Sequence, residues 1–135
     1  MRLLVHFVGK LLSILSLTKF LFKFQVEVEE DQVPEQVKTV IFRVLQEALN
    51  NIVKHSGADN VVICLEVKEG TLLFTISDNG VGFDMLQDML TETSDRGFGL
   101  ASMKERTELS EGKFSIITAK GKGTVIQAAW PCCAQ

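Results

Sequence analysis

From Val37 to Ile52 the apolar residues fall at Val37, Val40, Ile41, Val44, Leu45, Ala48, Leu49 and Ile52. That three-and-four spacing draws one continuous apolar stripe along a helix, and the stripe must lie on a second layer. Material for that layer stands on both sides. FQVEVEE, Phe24 to Glu30, alternates with the period of a half-buried strand. After the helix come NVVICLEV and TLLFTIS, separated by KEG, whose glycine suits a hairpin turn. The helix has its own punctuation: Pro34 and Glu35 suit a first turn, and Gly57 in HSGA suits the end. Further along, GFGL opens a second helix, LASMKERTELSEG, ending at Gly112, and KFSIITA and TVIQAAW pair through KGKG. Strands and helices are mixed without the regular alternation of a parallel wound sheet. The expected fold is therefore an α/β (α+β) two-layer sandwich with a mixed, mostly antiparallel sheet.

A chain of 135 residues supports one such domain. Its net charge of −3 gives no general electrostatic reason to bind nucleic acid. The cysteines, Cys64, Cys132 and Cys133, fit neither a disulfide framework nor a zinc ligand pair, which points to a reducing, cytoplasmic setting. Residues 1–23 are apolar with scattered Arg2, Lys10, Lys19 and Lys23, and the longest uncharged run, Leu11 to Thr18, falls far short of the ~20 residues needed to cross a bilayer. Three readings of this segment stand: a helix packed on the domain, a membrane-proximal or partner-binding helix, or a targeting segment. Membrane contact is expected only through it.

Within RVLQEALNNIVKHSG, the polar residues Arg43, Glu47, Asn51 and Lys54 recur at four, four and three. At about 100° per residue they fall within roughly 60° of one another, beside the apolar stripe. One reading is a solvated helix face. Against it, Asn50 and Asn51 stand side by side in mid-helix, where asparagine competes with the backbone for hydrogen bonds. The other reading is a magnesium-phosphate site: Mg²⁺ takes hard oxygen ligands and keeps several waters, and a lysine balances phosphate charge. Glu47 and Asn51, one turn apart, can address one ion and its water shell. His55 is either a structural histidine near the helix end or a phosphate contact.

The stretch ISDNGVGF, Ile76 to Phe83, admits two readings as well. Asp-Asn-Gly between apolar residues is a hairpin signal. Alternatively Asp78, delivered at a strand end, accepts hydrogen bonds from an exocyclic amine such as that of adenine, while Gly80 and Gly82 let the backbone approach a flat ring. Gly97 and Gly99 precede a helix whose free N–H groups form an anion site. Between them DMLQDMLTETSDR, about 84–96, reads as a lid. A base at one loop and phosphates at the next make a nucleotide. Rival nucleotide motifs are excluded, because the chain has no phosphate-loop spacing, no dinucleotide fingerprint and no protein-kinase signature set.

Taken in order, EALNNIVKH resembles the N box, DNGVGF the first glycine box, GFGLASMKER the second and GKGT the last of the ATP-binding domain of two-component sensor histidine kinases. That domain belongs to the GHKL superfamily, with gyrase-type and mismatch-repair ATPases and a class of heat-shock chaperones. The form QEALNN with GFGLASMKER is most similar to the nitrate-sensor and degradation-sensor branch. It covers about Phe24 to Pro131, so the expected organisation is an N-terminal segment, 1–23, and a catalytic domain, 24–135. The resemblance implies about five strands covered by about three helices, the two-layer plan of this class, and it implies ATP and Mg²⁺ as ligands. Carried over by position, Asp78 would bind the adenine amine, Asn51 would coordinate Mg²⁺, and Glu47 would order a metal-bound water or polarise the attacking group. Lys54 and His55 would contact phosphates, with the Gly99 and Leu100 amides nearby. Gly80, Gly82, Gly97 and Gly99 would shape the loops, and Thr124 would close the adenine side. The γ-phosphoryl group would pass to a histidine on a separate dimerisation domain, and onward to a response regulator. His6 has no acidic neighbour and is not that acceptor, so this chain alone is not expected to complete autophosphorylation. The alternatives are a stand-alone serine kinase of the anti-sigma type and a non-catalytic ATP-sensing module.

Overall fold

The apolar stripe meets a five-stranded sheet. The computed structural model describes residue 6, residues 9–10, residues 21–82 and residues 95–132. In chain order these form β1 (Leu21–Glu27), a 3₁₀ turn (Glu30–Gln32), α1 (Glu35–Asn51), a π-helical turn (Ile52–Ser56), β2 (Asn60–Lys68), β3 (Thr71–Asp78), α2 (Asp95–Leu109), β4 (Lys113–Thr118) and β5 (Thr124–Pro131). The strand order is β1-β2-β3-β5-β4, with β1 parallel to β2 and the other pairs antiparallel. The one parallel pair is the one whose strands are joined by a helix, as a parallel connection requires. The mixed, mostly antiparallel sandwich read from the sequence is the observed fold. Among the described residues it has two long helices; His6, Gly9 and Lys10 are also helical.

One face of the sheet is buried under those helices. Val61, Ile63 and Leu65 of β2, Leu72, Phe74 and Ile76 of β3, and Ile126, Ala128 and Trp130 of β5 alternate onto it. Registry aligns them in rows, such as Ile63, Ile76 and Ile126. Val37, Ile41, Val44, Leu45, Ala48 and Leu49 of α1 and Leu100 and Met103 of α2 fill the space above. Leu45 is fully enclosed, at 0% exposure. Leu45→Ala is expected to lower the free energy of unfolding by about 2–5 kcal/mol, measured as an earlier urea midpoint with an unchanged slope.

Three boundaries differ from the sequence expectation. β1 begins at Leu21, three residues early, because pairing with β2 starts at Asn60 and the Leu21 N–H donates to the Asp59 carbonyl at 2.8 Å. Pro34 caps α1 from outside, with ψ at 146°, and its carbonyl accepts the Lys38 N–H at 2.9 Å. Regular α-helix ends at Asn51, where the Ile52 N–H is shared between the Ala48 and Leu49 carbonyls, and the chain widens into the π turn. Gly57, in left-handed conformation, closes that turn as expected.

Candidate functional site

β3 delivers Asp78 at its last position, opposite Val61 of β2 and Thr124 of β5. The neighbours of β3 are β2 and β5, so Asp-Asn-Gly joins no hairpin, and that reading is corrected. Instead the Asp78 carboxylate accepts the Gly80 N–H at 2.8 Å, folding the chain back on itself. Asp78 is half-buried; burial pushes its carboxyl above the ordinary 3.8, with the Gly80 N–H opposing. Asn79 turns the other way. Its amide oxygen accepts the Asp59 and Asn60 N–H groups at 3.1 and 3.0 Å, and its amide nitrogen donates to the Asp59 carboxylate at 2.7 Å. The bonds from Asn79 and Asn60 hold the Asp59 carboxyl below its usual range.

Past this point the loop is locked to the β4–β5 connection. Gly82 has a φ of 65°, and a Cβ there would lie 2.0 Å from the Ala119 carbonyl oxygen. Gly123, φ 74°, sits so close beneath β3 that its Cβ would lie 2.3 Å from the Asp78 carbonyl oxygen. The Gly121 N–H donates to the Val81 carbonyl, and the Thr118 hydroxyl donates to the Gly123 carbonyl at 3.1 Å while lying 2.9 Å from the Thr124 hydroxyl. The structure thus brings Asp78, Gly82 and Thr124 together. Thr124 is buried, at 8% exposure.

A second cluster forms where α1 crosses α2. Glu47 lies against Gly99, whose missing Cβ would stand 3.3 Å from the Glu47 carboxylate. Asn51 follows one turn on, half-exposed, as the last residue of α1. Two expectations change here. α2 begins at Asp95, so Gly97 and Gly99 lie inside it and the lid reading ends before 95; residues 83–94 lie outside the described residues. The free N–H groups of a helix end lie in its first turn, so the Gly99 and Leu100 amides belong to the helix ladder. The Leu100 side chain is core, at 3% exposure. Lys54 and His55 occupy the π turn, so the single line of polar residues bends after Asn51; the His55 side chain lies outside the described residues.

The donor set suits Mg²⁺ held jointly with phosphate. Asn51 offers an amide oxygen at an accessible helix end, and among the described residues no group of three or more His, Cys, Asp and Glu could hold a metal unaided. Mg²⁺ commonly takes one or two protein oxygens and completes its octahedron with phosphate and water. Also unforeseen in the sequence is a polar cleft of about 230 Å³ between the helices. It is lined by Arg43, Glu47 and Asn50 of α1 and Ser102, Met103 and Arg106 of α2.

Comparison with known proteins bears on this geometry. The family described as histidine kinase-, DNA gyrase B-, and HSP90-like ATPase matches residues 36–133. The signal transduction histidine-protein kinase/phosphatase DegS of Bacillus subtilis is 35% identical over 105 residues, 78% of this chain and 27% of that protein. The oxygen sensor histidine kinase NreB of Staphylococcus carnosus is 35% identical over 96 residues, 71% of this chain and 26% of that protein. The chain thus spans about a quarter of the length of these relatives. The histidine kinase domain of the Erythrobacter litoralis EL346 blue-light activated histidine kinase superposes with a TM-score of 0.74, covering 91% of this chain and 56% of that one, at 20% identity. That likeness concerns the fold. Among the described residues no helix is long and apolar enough to cross a membrane.

Proposed function

Since the chain belongs to the histidine kinase-, DNA gyrase B- and HSP90-like ATPase family, we propose that it binds Mg-ATP and transfers the γ-phosphoryl group to a histidine on a separate dimerisation domain of a sensor kinase. The observation that carries this reading is the interlock holding Asp78 beside Gly82 and Thr124 at one strand end. A half-buried carboxylate with one oxygen bonded to the Gly80 N–H keeps acceptor capacity for an adenine amine. Gly82 serves the site by locking the loop against the Ala119 and Gly123 carbonyls, which fill the space of its missing Cβ, and Thr124 stands opposite Asp78 on β5. At the other end Asn51 supplies an oxygen to Mg²⁺, while Lys54 and His55 on the π turn and Gly97 in the first turn of α2 serve the phosphates. Mg²⁺, when bound, neutralises charge on the phosphate oxygens.

Glu47 is the residue placed to act on the acceptor. An imidazole nitrogen lone pair attacks the γ-phosphorus, the bond from that phosphorus to the bridging oxygen breaks, and ADP departs with the electron pair. The proton on the other imidazole nitrogen passes to Glu47 or to water. No covalent nucleophile from this chain is needed, because phosphoryl transfer depends chiefly on positioning and charge neutralisation.

The test is a partner swap. The chain is incubated with γ-labelled ATP and, in parallel, a dimerising helix hairpin bearing an acceptor histidine or an anti-anti-sigma protein. Acid-labile, alkali-stable label on the hairpin alone is expected. Label on the anti-anti-sigma protein would establish a serine kinase instead, and binding of ATP with no transfer to either acceptor would establish a nucleotide sensor. We propose further that the chain works in the cytoplasm, where ATP and a response regulator are both available to it.

A further inference from the structure

Of the roles above, the cleft between α1 and α2 shares only Glu47. It spans two turns of α1, from Arg43 through Glu47 to Asn50, and faces Ser102, Met103 and Arg106 of α2. Both arginines are exposed. Arg106 donates from Nε to the Ser102 hydroxyl at 3.4 Å, which leaves the outer edge of its guanidinium for a ligand. Among the described residues Arg43 enters no ion pair or side-chain hydrogen bond. Met103 floors the cleft with an apolar surface, and Asn50 and Ser102 add neutral polar groups on either wall.

Two guanidinium groups facing one volume favour an anion, and the planar fork of arginine pairs best with carboxylate or phosphate. The carboxylate of Glu47, on the same wall as Arg43, decides between them. A dianionic phosphate lodged there would face a like charge. A protein segment can instead set its own carboxylate between the arginines and a neutral group against Glu47. We infer that this cleft is the docking site for an acidic helical face of the phosphoacceptor domain, with Arg43 and Arg106 pairing its carboxylates and the acceptor imidazole lying at Glu47. The inference rests on the kinase reading above.

The experiment uses the acceptor hairpin that takes label in the transfer assay, with Arg43→Glu, Arg106→Glu and the double variant. Mg-ATP affinity is measured by calorimetry on the same preparations, which also verifies that they are folded. Expected are ATP affinities within twofold of the unaltered chain, and an acceptor concentration for half-maximal transfer raised at least tenfold, with the rate at saturation little changed. Arg43→Lys and Arg106→Lys should retain most of the effect of charge, and raising salt should weaken the unaltered chain toward the charge-reversed one. An unchanged acceptor dependence in a variant that binds ATP normally overturns the inference and leaves the kinase reading intact. Loss of ATP affinity in both charge reversals, with acceptor dependence unmoved, assigns the cleft to the nucleotide and also overturns it. Absence of transfer by the unaltered chain removes the kinase reading, and the docking site with it.

Discussion

Gly82→Ala is expected to abolish nucleotide binding at concentrations that saturate the unaltered chain. Two independent costs arise at one atom. The left-handed backbone of Gly82, φ 65°, is strained for alanine by about 1–3 kcal/mol. The new Cβ would also stand 2.0 Å from the Ala119 carbonyl oxygen and 3.0 Å from that of Gly123. Those atoms are backbone, tied by the Gly121–Val81 hydrogen bond and by the β4–β5 pairing, and cannot swing aside as a side chain would. Relief requires the loop after Asp78 to lift from the β4–β5 connection, which displaces the backbone beside the Asp78 carboxylate although Asp78 stays paired with Thr124. The sheet core lies elsewhere, so the folded state survives with a lowered melting temperature while the base end of the site is lost. Gly80→Ala is the comparison for backbone strain, because Gly80 does not share the left-handed φ of Gly82.

Asp78→Asn separates binding from stability. Asparagine keeps the oxygen that accepts the Gly80 N–H, so the local turn persists. It loses the negative charge that would receive an adenine amine, and removing one charged acceptor of a buried donor costs about 1.5–3 kcal/mol, roughly tenfold or more in affinity. Without nucleotide the sign reverses. Burial raises the folded-state pKa of Asp78 above 3.8, so the folded chain holds that proton more tightly than the unfolded chain. The ionised carboxylate therefore works against folding, increasingly as pH rises from 3.8 through the raised value. The variant should melt at or above the temperature of the unaltered chain at neutral pH, and the difference should shrink in acid, where Asp78 is protonated in both states. A functional carboxylate held at some cost to stability behaves this way. A structural one would leave the variant less stable at every pH.

Much of this was legible in the sequence because the signals were periodic or covalently local. The stripe from Val37 to Ile52 fixed the buried face of α1, and alternation in NVVICLEV and TLLFTIS fixed which residues of β2 and β3 enter the core. The grouping of Asp78, Gly82 and Thr124 followed from motif order once the family resemblance was drawn. What escaped was decided by tertiary partners. The early start of β1 depends on Asp59, thirty-eight positions from Leu21. Asn79 looked like one residue of a turn, yet its amide ties the end of β3 to the start of β2. α2 runs through both glycines of GFGL, although glycine is a poor helix former, because Gly99 makes room for Glu47 where the helices cross. The π turn has no compositional signal. It displaces Lys54 from the line that the α-helical period projected.

The central claim is that this fold holds Mg-ATP with its base at Asp78 and its phosphates near Asn51. Calorimetric titration of the 135-residue chain with a non-hydrolysable ATP analogue, with and without Mg²⁺, tests it most directly. The account predicts one site per chain, binding strengthened by Mg²⁺, and an Asn51→Ala variant that binds the analogue but loses the Mg²⁺ enhancement. Absence of heat at millimolar analogue, or a Mg²⁺ enhancement that survives Asn51→Ala, would contradict it.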